Sequence, residues 1–121
     1  MADIVAELAP AGSEPVVVKG LPNAFAGTNL HEVLRQSGRS TLILAGFMTH
    51  MCISATARAA LDLGLRSTVV AGATATRDLP DPIGGVVPAE TVHRTALAEL
   101  ADRFAVVVPD TGALVAAAGA G

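Results

Sequence analysis

Thr41-Leu-Ile-Leu-Ala-Gly-Phe-Met-Thr-His-Met-Cys52 is the stretch on which the fold turns. Leu42–Ala45 is a continuous apolar run, the kind buried on both faces of a parallel sheet, and Gly46 breaks it. Cys52 then opens a helix to Leu63, with Ile53, Ala57, Ala60 and Leu61 on one stripe and Gly64 as its stop. Upstream, Val16-Val-Val-Lys19 reads as a strand that Gly20-Leu-Pro22 ends. A helix follows from Asn29, where Asn29 and Glu32 form a capping-box pattern, Leu30, Val33 and Leu34 share a face, and Gly38 terminates it. Downstream, Thr68–Ala71 is a strand and Gly72–Pro88 a long Gly- and Pro-rich loop of functional or mobile character. Ala89–Arg103 is an amphipathic helix with Val92, Ala96, Leu97 and Leu100 inward, and Ala105–Val108 is a further strand. Asp110 can cap a last helix in the Ala-rich tail, which is expected to fray after Leu114. Alternating β and α units predict an α/β protein with a parallel sheet and helices on both faces.

The 121 residues, 51% of them hydrophobic, suit one domain with a single core. Apolar residues come in short runs, so no membrane span is expected. Met1-Ala-Asp-Ile-Val-Ala-Glu carries acids where a leader peptide carries bases, which points to the cytoplasm. One cysteine makes neither an internal disulfide nor a multi-cysteine metal site. A net charge of −3, with basic residues scattered singly and only three Phe as aromatics, argues against a nucleic-acid partner. Lys19 is the sole lysine, since the other seven of the eight basic residues are Arg.

Sites in open parallel sheets form at the carboxyl ends of the strands. Lys19 closes one strand and Cys52 lies just past another, so the topology puts an ammonium and a thiol on one edge. A helix N-terminus and a neighbouring cation both favour thiolate over thiol, and backbone N–H groups there can serve an oxyanion. Acyl transfer is the chemistry such a set supports. On residues alone two plainer alternatives stay open: Cys52 as a small buried hydrophobe, and Lys19 as a solvated strand end.

Gly46-Phe-Met-Thr-His-Met-Cys52, then Thr56-Ala-Arg-Ala-Ala and Gly64, with Val18-Lys19 and Asn23-Ala-Phe-Ala-Gly-Thr28, resembles the isochorismatase-like cysteine hydrolases over about residues 14–114. The resemblance implies a three-layer α/β/α fold, a Cys52 nucleophile cleaving a C–N bond of a small amide or ureide, Lys19 beside it, and no nucleotide cofactor. It implies a cis peptide at Met48–Thr49 that aims the N–H groups of Met51 and Cys52 at the oxyanion. It places Asn23, Phe25 and Thr28 along the substrate pocket, leaves His50 near the substrate without a role as general base, and implies a homo-oligomer.

The family's first strand, which ends in a catalytic aspartate, has no counterpart here, and Asp3 follows no apolar strand and is not given that role. In the family's strand order, 3-2-1-4-5-6, the lysine strand is third and the cysteine strand fourth. The expectation is therefore of an N-terminally shortened domain lacking strands between the two, with no metal assigned. The alternative to an amide hydrolase is an inactive homologue with a structural or regulatory role; a redox sensor ranks behind both, for want of a resolving cysteine. His50 reads as hydrogen-bonded near the helix start, His93 as packing or surface, His31 as solvated, and Asp78 and Asp81 as turn formers.

Overall fold

The structure, a computed structural model, describes residues 4–120. Strands β1 (Thr41–Phe47), β2 (Arg66–Ala75) and β5 (Val106–Val108) form a parallel sheet in the order β1-β2-β5. A two-stranded antiparallel hairpin, β3 (Leu79–Pro80) and β4 (Val86–Val87), stands apart from it. Helices α1 (Leu30–Ser37), α2 (Ser54–Asp62), α3 (Ala89–Arg103) and α4 (Thr111–Ala120) complete the chain, with a short 3-10 turn at Ala6–Leu8 and a π-helical turn at Thr49–Ile53. Among the described residues no helix is long and apolar enough to cross a membrane.

The core lies between the sheet and the α2–α3 pair. Ile53, Ala57, Val69 and Leu100 are buried together, with Leu44, Leu97, Phe104 and Val107 packed around them. Strand alternation turns Val70 to the opposite face. It is only 2% exposed there, and α4 packs on β2 and β5. Arg58 fastens the rim: its guanidinium carbon sits 4.4 Å from the Phe104 ring centroid, and its Nε donates to Ser54 Oγ at 3.1 Å.

The β1–β2 register is broken. Leu44 pairs with Val69 but Gly46 pairs with Thr74, so β2 bulges between these points. Within the bulge Gly72 N–H donates to Pro109 O at 2.9 Å, and a Cβ on residue 72 would stand 3.0 Å from that oxygen. Only glycine permits so close an approach.

Several expectations from the sequence are corrected. Val16–Lys19 is not a strand, because among the described residues no strand pairs with it, and an extended segment without a ladder partner is not a strand of any sheet. β1 is not buried on both faces: it is the sheet's edge, with Ile43 60% and Phe47 72% exposed. The capping box at α1 does not form. Asn29 has φ −95° and ψ 16°, outside the extended conformation that brings a cap side chain over the first turn; Thr28 Oγ1 accepts the Leu30 N–H at 3.3 Å, and Glu32 pairs with Arg35 at 2.9 Å. The Gly72–Pro88 stretch is part strand and part hairpin, since β2 runs on to Ala75. The tail is helical to Ala120, with Asp110 Oδ1 accepting the Ala113 N–H at 2.8 Å as its cap. Asp3 lies outside the described residues.

Candidate active site

Two segments with different origins meet at the carboxyl end of β1. The first is the turn that follows Phe47. Its Met48 carbonyl accepts N–H groups from Met51 at 3.0 Å and Ile53 at 3.3 Å, which winds Thr49–Ile53 into a wide turn continuous with α2. Ile53 is held in the core, so Cys52, its neighbour, is carried to the rim of the sheet half-buried. The second is the irregular segment bearing Lys19. Its ammonium donates to Leu21 O at 2.9 Å and Pro22 O at 3.4 Å, and reaches Cys52 Sγ at 3.1 Å.

An ammonium at that distance from sulfur is a charge-assisted partner for a thiolate. The pair opens on a pocket of about 220 Å³ lined by Lys19, Ala24, Leu30, Leu44, Ala45, Phe47, Cys52, Ile53 and Thr56. The walls are apolar, and no carboxylate is among them. Among the described residues no cluster of His, Cys, Asp and Glu could hold a metal ion.

The other residues singled out from the sequence are placed elsewhere or differently. The cis peptide is Phe47–Met48, one bond earlier than expected, at the end of β1. Met51 N–H is engaged by the Met48 carbonyl instead of facing the pocket as a free donor. Thr49 is fully buried, and its Oγ1 lies 2.8 Å from His93 Nδ1 of α3. Asn23, Phe25 and Thr28 do not line the pocket; they build the loop behind it. Asn23 Oδ1 accepts the Phe25 N–H at 2.9 Å, Thr28 Oγ1 donates to Ala24 O at 2.6 Å, and Phe25 meets His31 edge-on with ring centroids 6.3 Å apart.

His50 turns away from Cys52. Its Nδ1 lies 2.7 Å from Thr76 Oγ1, and it lines a separate cavity of about 380 Å³ between the β3–β4 hairpin and α3, with Leu79, Val87, Thr91 and Thr95. Asp81 forms the expected turn, its Oδ1 accepting the Ile83 N–H at 2.8 Å. Asp78 does more than that: its Oδ1 accepts the Ala89 N–H at 2.7 Å and so caps α3 from across the hairpin.

The residues missed in the sequence are Ala24, Leu30, Leu44, Phe47 and Thr56, which wall the pocket, and His93, which meets Thr49. Leu30, Leu44 and Phe47 were hidden by ordinary helix and strand periodicity, and Ala24 by its place in a loop. Thr56 carried a signal, a polar residue one turn after Cys52 on the same helix face.

Comparison with known proteins shows the family of the chain. The isochorismatase domain model matches residues 1–111, a span that begins earlier than the motifs alone suggested. A secreted isochorismatase effector of Verticillium dahliae is 43% identical over 108 residues, 89% of this chain and 54% of that protein. The crystal structure of an isochorismatase from Pseudomonas putida is 45% identical and superposes with a TM-score of 0.85 over 88% of this chain and 55% of that one. A cysteine hydrolase from Pseudomonas syringae pv. phaseolicola, 29% identical, superposes with a TM-score of 0.88 over 93% of this chain and 53% of that one. The chain thus spans about half the length of the relatives it matches. With a matching domain model over most of its length and the same fold in its neighbours, the chain belongs to the isochorismatase family.

Proposed function

We propose that this chain carries the thiol site of a hydrolase that cleaves a C–N bond in a small amide or ureide. The observation that carries the proposal is the 3.1 Å approach of Lys19 Nζ to Cys52 Sγ at an open, largely apolar pocket. The Cys52 thiolate attacks the carbonyl carbon. As the tetrahedral adduct collapses the C–N bond breaks, and the nitrogen leaves as an amine with the proton the thiol released. The acyl group stays on sulfur as a thioester until water adds to it, giving the acid and restoring the thiol. Lys19 holds the thiolate by its charge. Since Met51 N–H is bound to Met48 O, the oxyanion donor is assigned to the N–H of Cys52. A pocket of about 220 Å³ suits a compact substrate.

A second reading is favoured by one observation: no carboxylate lines the pocket among the described residues. On that reading the 121-residue chain binds but does not turn over, because nothing ferries the proton to the leaving nitrogen. One experiment separates the two. The purified chain and its Cys52→Ala variant are assayed on a panel of small amides and ureides, with iodoacetamide labelling of Cys52 at neutral pH alongside. Turnover that Cys52→Ala abolishes supports the hydrolase. Rapid labelling with no turnover supports the inactive form, turnover by the 121-residue chain rules that form out, and a Cys52 that resists labelling rules out the hydrolase.

A further inference from the structure

Lys19 lies in a segment with no ladder to hold it. Val16 and Val18, which precede it in the chain, are exposed, and among the described residues the segment pairs with no strand. Its ammonium hydrogen-bonds forward to Leu21 O and Pro22 O, so the position of Nζ follows the position of the Leu21–Ala24 backbone. That backbone is tied to α2 by one side chain. Thr56 Oγ1 accepts the Ala24 N–H at 3.0 Å and lies 3.4 Å from Pro22 O, to which it donates. Thr56 is buried, 7% exposed, and stands four residues after Cys52, so the two share one helical face and both line the pocket.

We infer that Thr56 is the positioning residue that sets the distance between Lys19 and Cys52. Its hydroxyl uses both of its hydrogen-bonding capacities on the lysine segment: it fixes the same Pro22 carbonyl that accepts from Lys19 Nζ, and it is rooted in the helix that carries the thiol. Without the hydroxyl, the Ala24 N–H and Pro22 O lose their anchor. The segment then moves away and takes the ammonium with it. The inference rests on the proposed pairing of Cys52 with Lys19, and its test is chosen so that either can fail alone.

The test is the rate of iodoacetamide alkylation of Cys52 at neutral pH in the full 121-residue chain, for the wild type, Thr56→Val, Thr56→Ala, Thr56→Ser, Lys19→Met and the double variants. Circular dichroism identifies the variants that are folded. Thr56→Val and Thr56→Ala are expected to slow alkylation about five- to tenfold, the scale of coupling between residues in one network, while Thr56→Ser stays near wild type. In the Lys19→Met background the Thr56 changes should have no further effect. Equal slowing in that background, or no slowing by a folded Thr56→Val or Thr56→Ala, overturns the positioning role. If Thr56→Val does not fold, Thr56→Ala and Thr56→Ser decide between the outcomes. A Cys52 no more reactive in wild type than in Lys19→Met overturns the pairing itself.

Discussion

Thr49, on the turn that carries Cys52, is hydrogen-bonded to His93 of α3: Oγ1 and Nδ1 lie 2.8 Å apart, and the threonine is wholly buried. The bond joins the turn after β1 to a helix 44 residues away in sequence, and so fastens the thiol-bearing segment to the core. Removing one partner leaves a polar atom stranded, at a cost of about 1–2 kcal/mol. Thr49→Val and His93→Ala should each lower the unfolding free energy from urea titration by about that much. The double variant should lose less than the sum, and His93→Asn, which keeps a polar atom near Nδ1, should recover part of the loss.

The Lys19–Cys52 contact predicts a reactivity order. Lys19→Met should slow alkylation of Cys52 about tenfold, and Lys19→Arg should not restore it, because a planar guanidinium cannot take the place of an ammonium that already meets two carbonyls and a sulfur. Mass spectrometry of iodoacetamide adducts over time reads this directly. Equal rates in all three proteins would remove Lys19 from the site.

Arg58 predicts an asymmetry between its partners. Its guanidinium lies over Phe104 and bonds Ser54, whereas Glu99, 3.5 Å away, has a side chain 58% exposed. A solvent-screened ion pair contributes well under 1 kcal/mol, and a cation–π contact with a packed stem about 1 kcal/mol or more. Arg58→Ala should therefore lower the thermal midpoint by several degrees and Glu99→Gln hardly at all, as calorimetry would show.

Leu100 and Ser67 predict opposite signs in one core. Leu100 is fully buried in the cluster with Ile53, Ala57 and Val69, so Leu100→Ala should cost about 2–5 kcal/mol in denaturant unfolding. Ser67, on the face of β2 that Val69 shares, has a buried hydroxyl with no hydrogen-bond partner among the described residues. Ser67→Ala should leave stability unchanged or raise it by about 0.5–1 kcal/mol, since a desolvated group without a partner is removed.

Where local pattern and tertiary environment agree, the elements were legible from residues. Helix α3 occupies the predicted Ala89–Arg103, with Val92, Ala96 and Leu100 buried at the expected spacing, and α1 stops at Gly38, which has φ 72°. The apolar run before Cys52 is a parallel strand, and Cys52 and Lys19 stand together. The failures have two causes, a missing strand partner and a backbone conformation that residue identity does not fix. Val16–Lys19 has strand composition but no strand to pair with, and Asn29 has a capping residue's chemistry without its backbone angles.

The identities of the thiol and the ammonium, and the order of β1, α2, β2, α3 and β5, were set by sequence alone, because periodicity, glycine stops and residue chemistry are local properties. The tertiary structure decided which groups face the pocket. It turned His50 toward Thr76, sent Asn23 and Thr28 into their own loop, and brought Thr56 and His93 to the segments around Cys52. Those outcomes depend on how helices and loops pack across the sheet edge; spacing along the chain puts Thr56 on the face of Cys52 but encodes none of the partners.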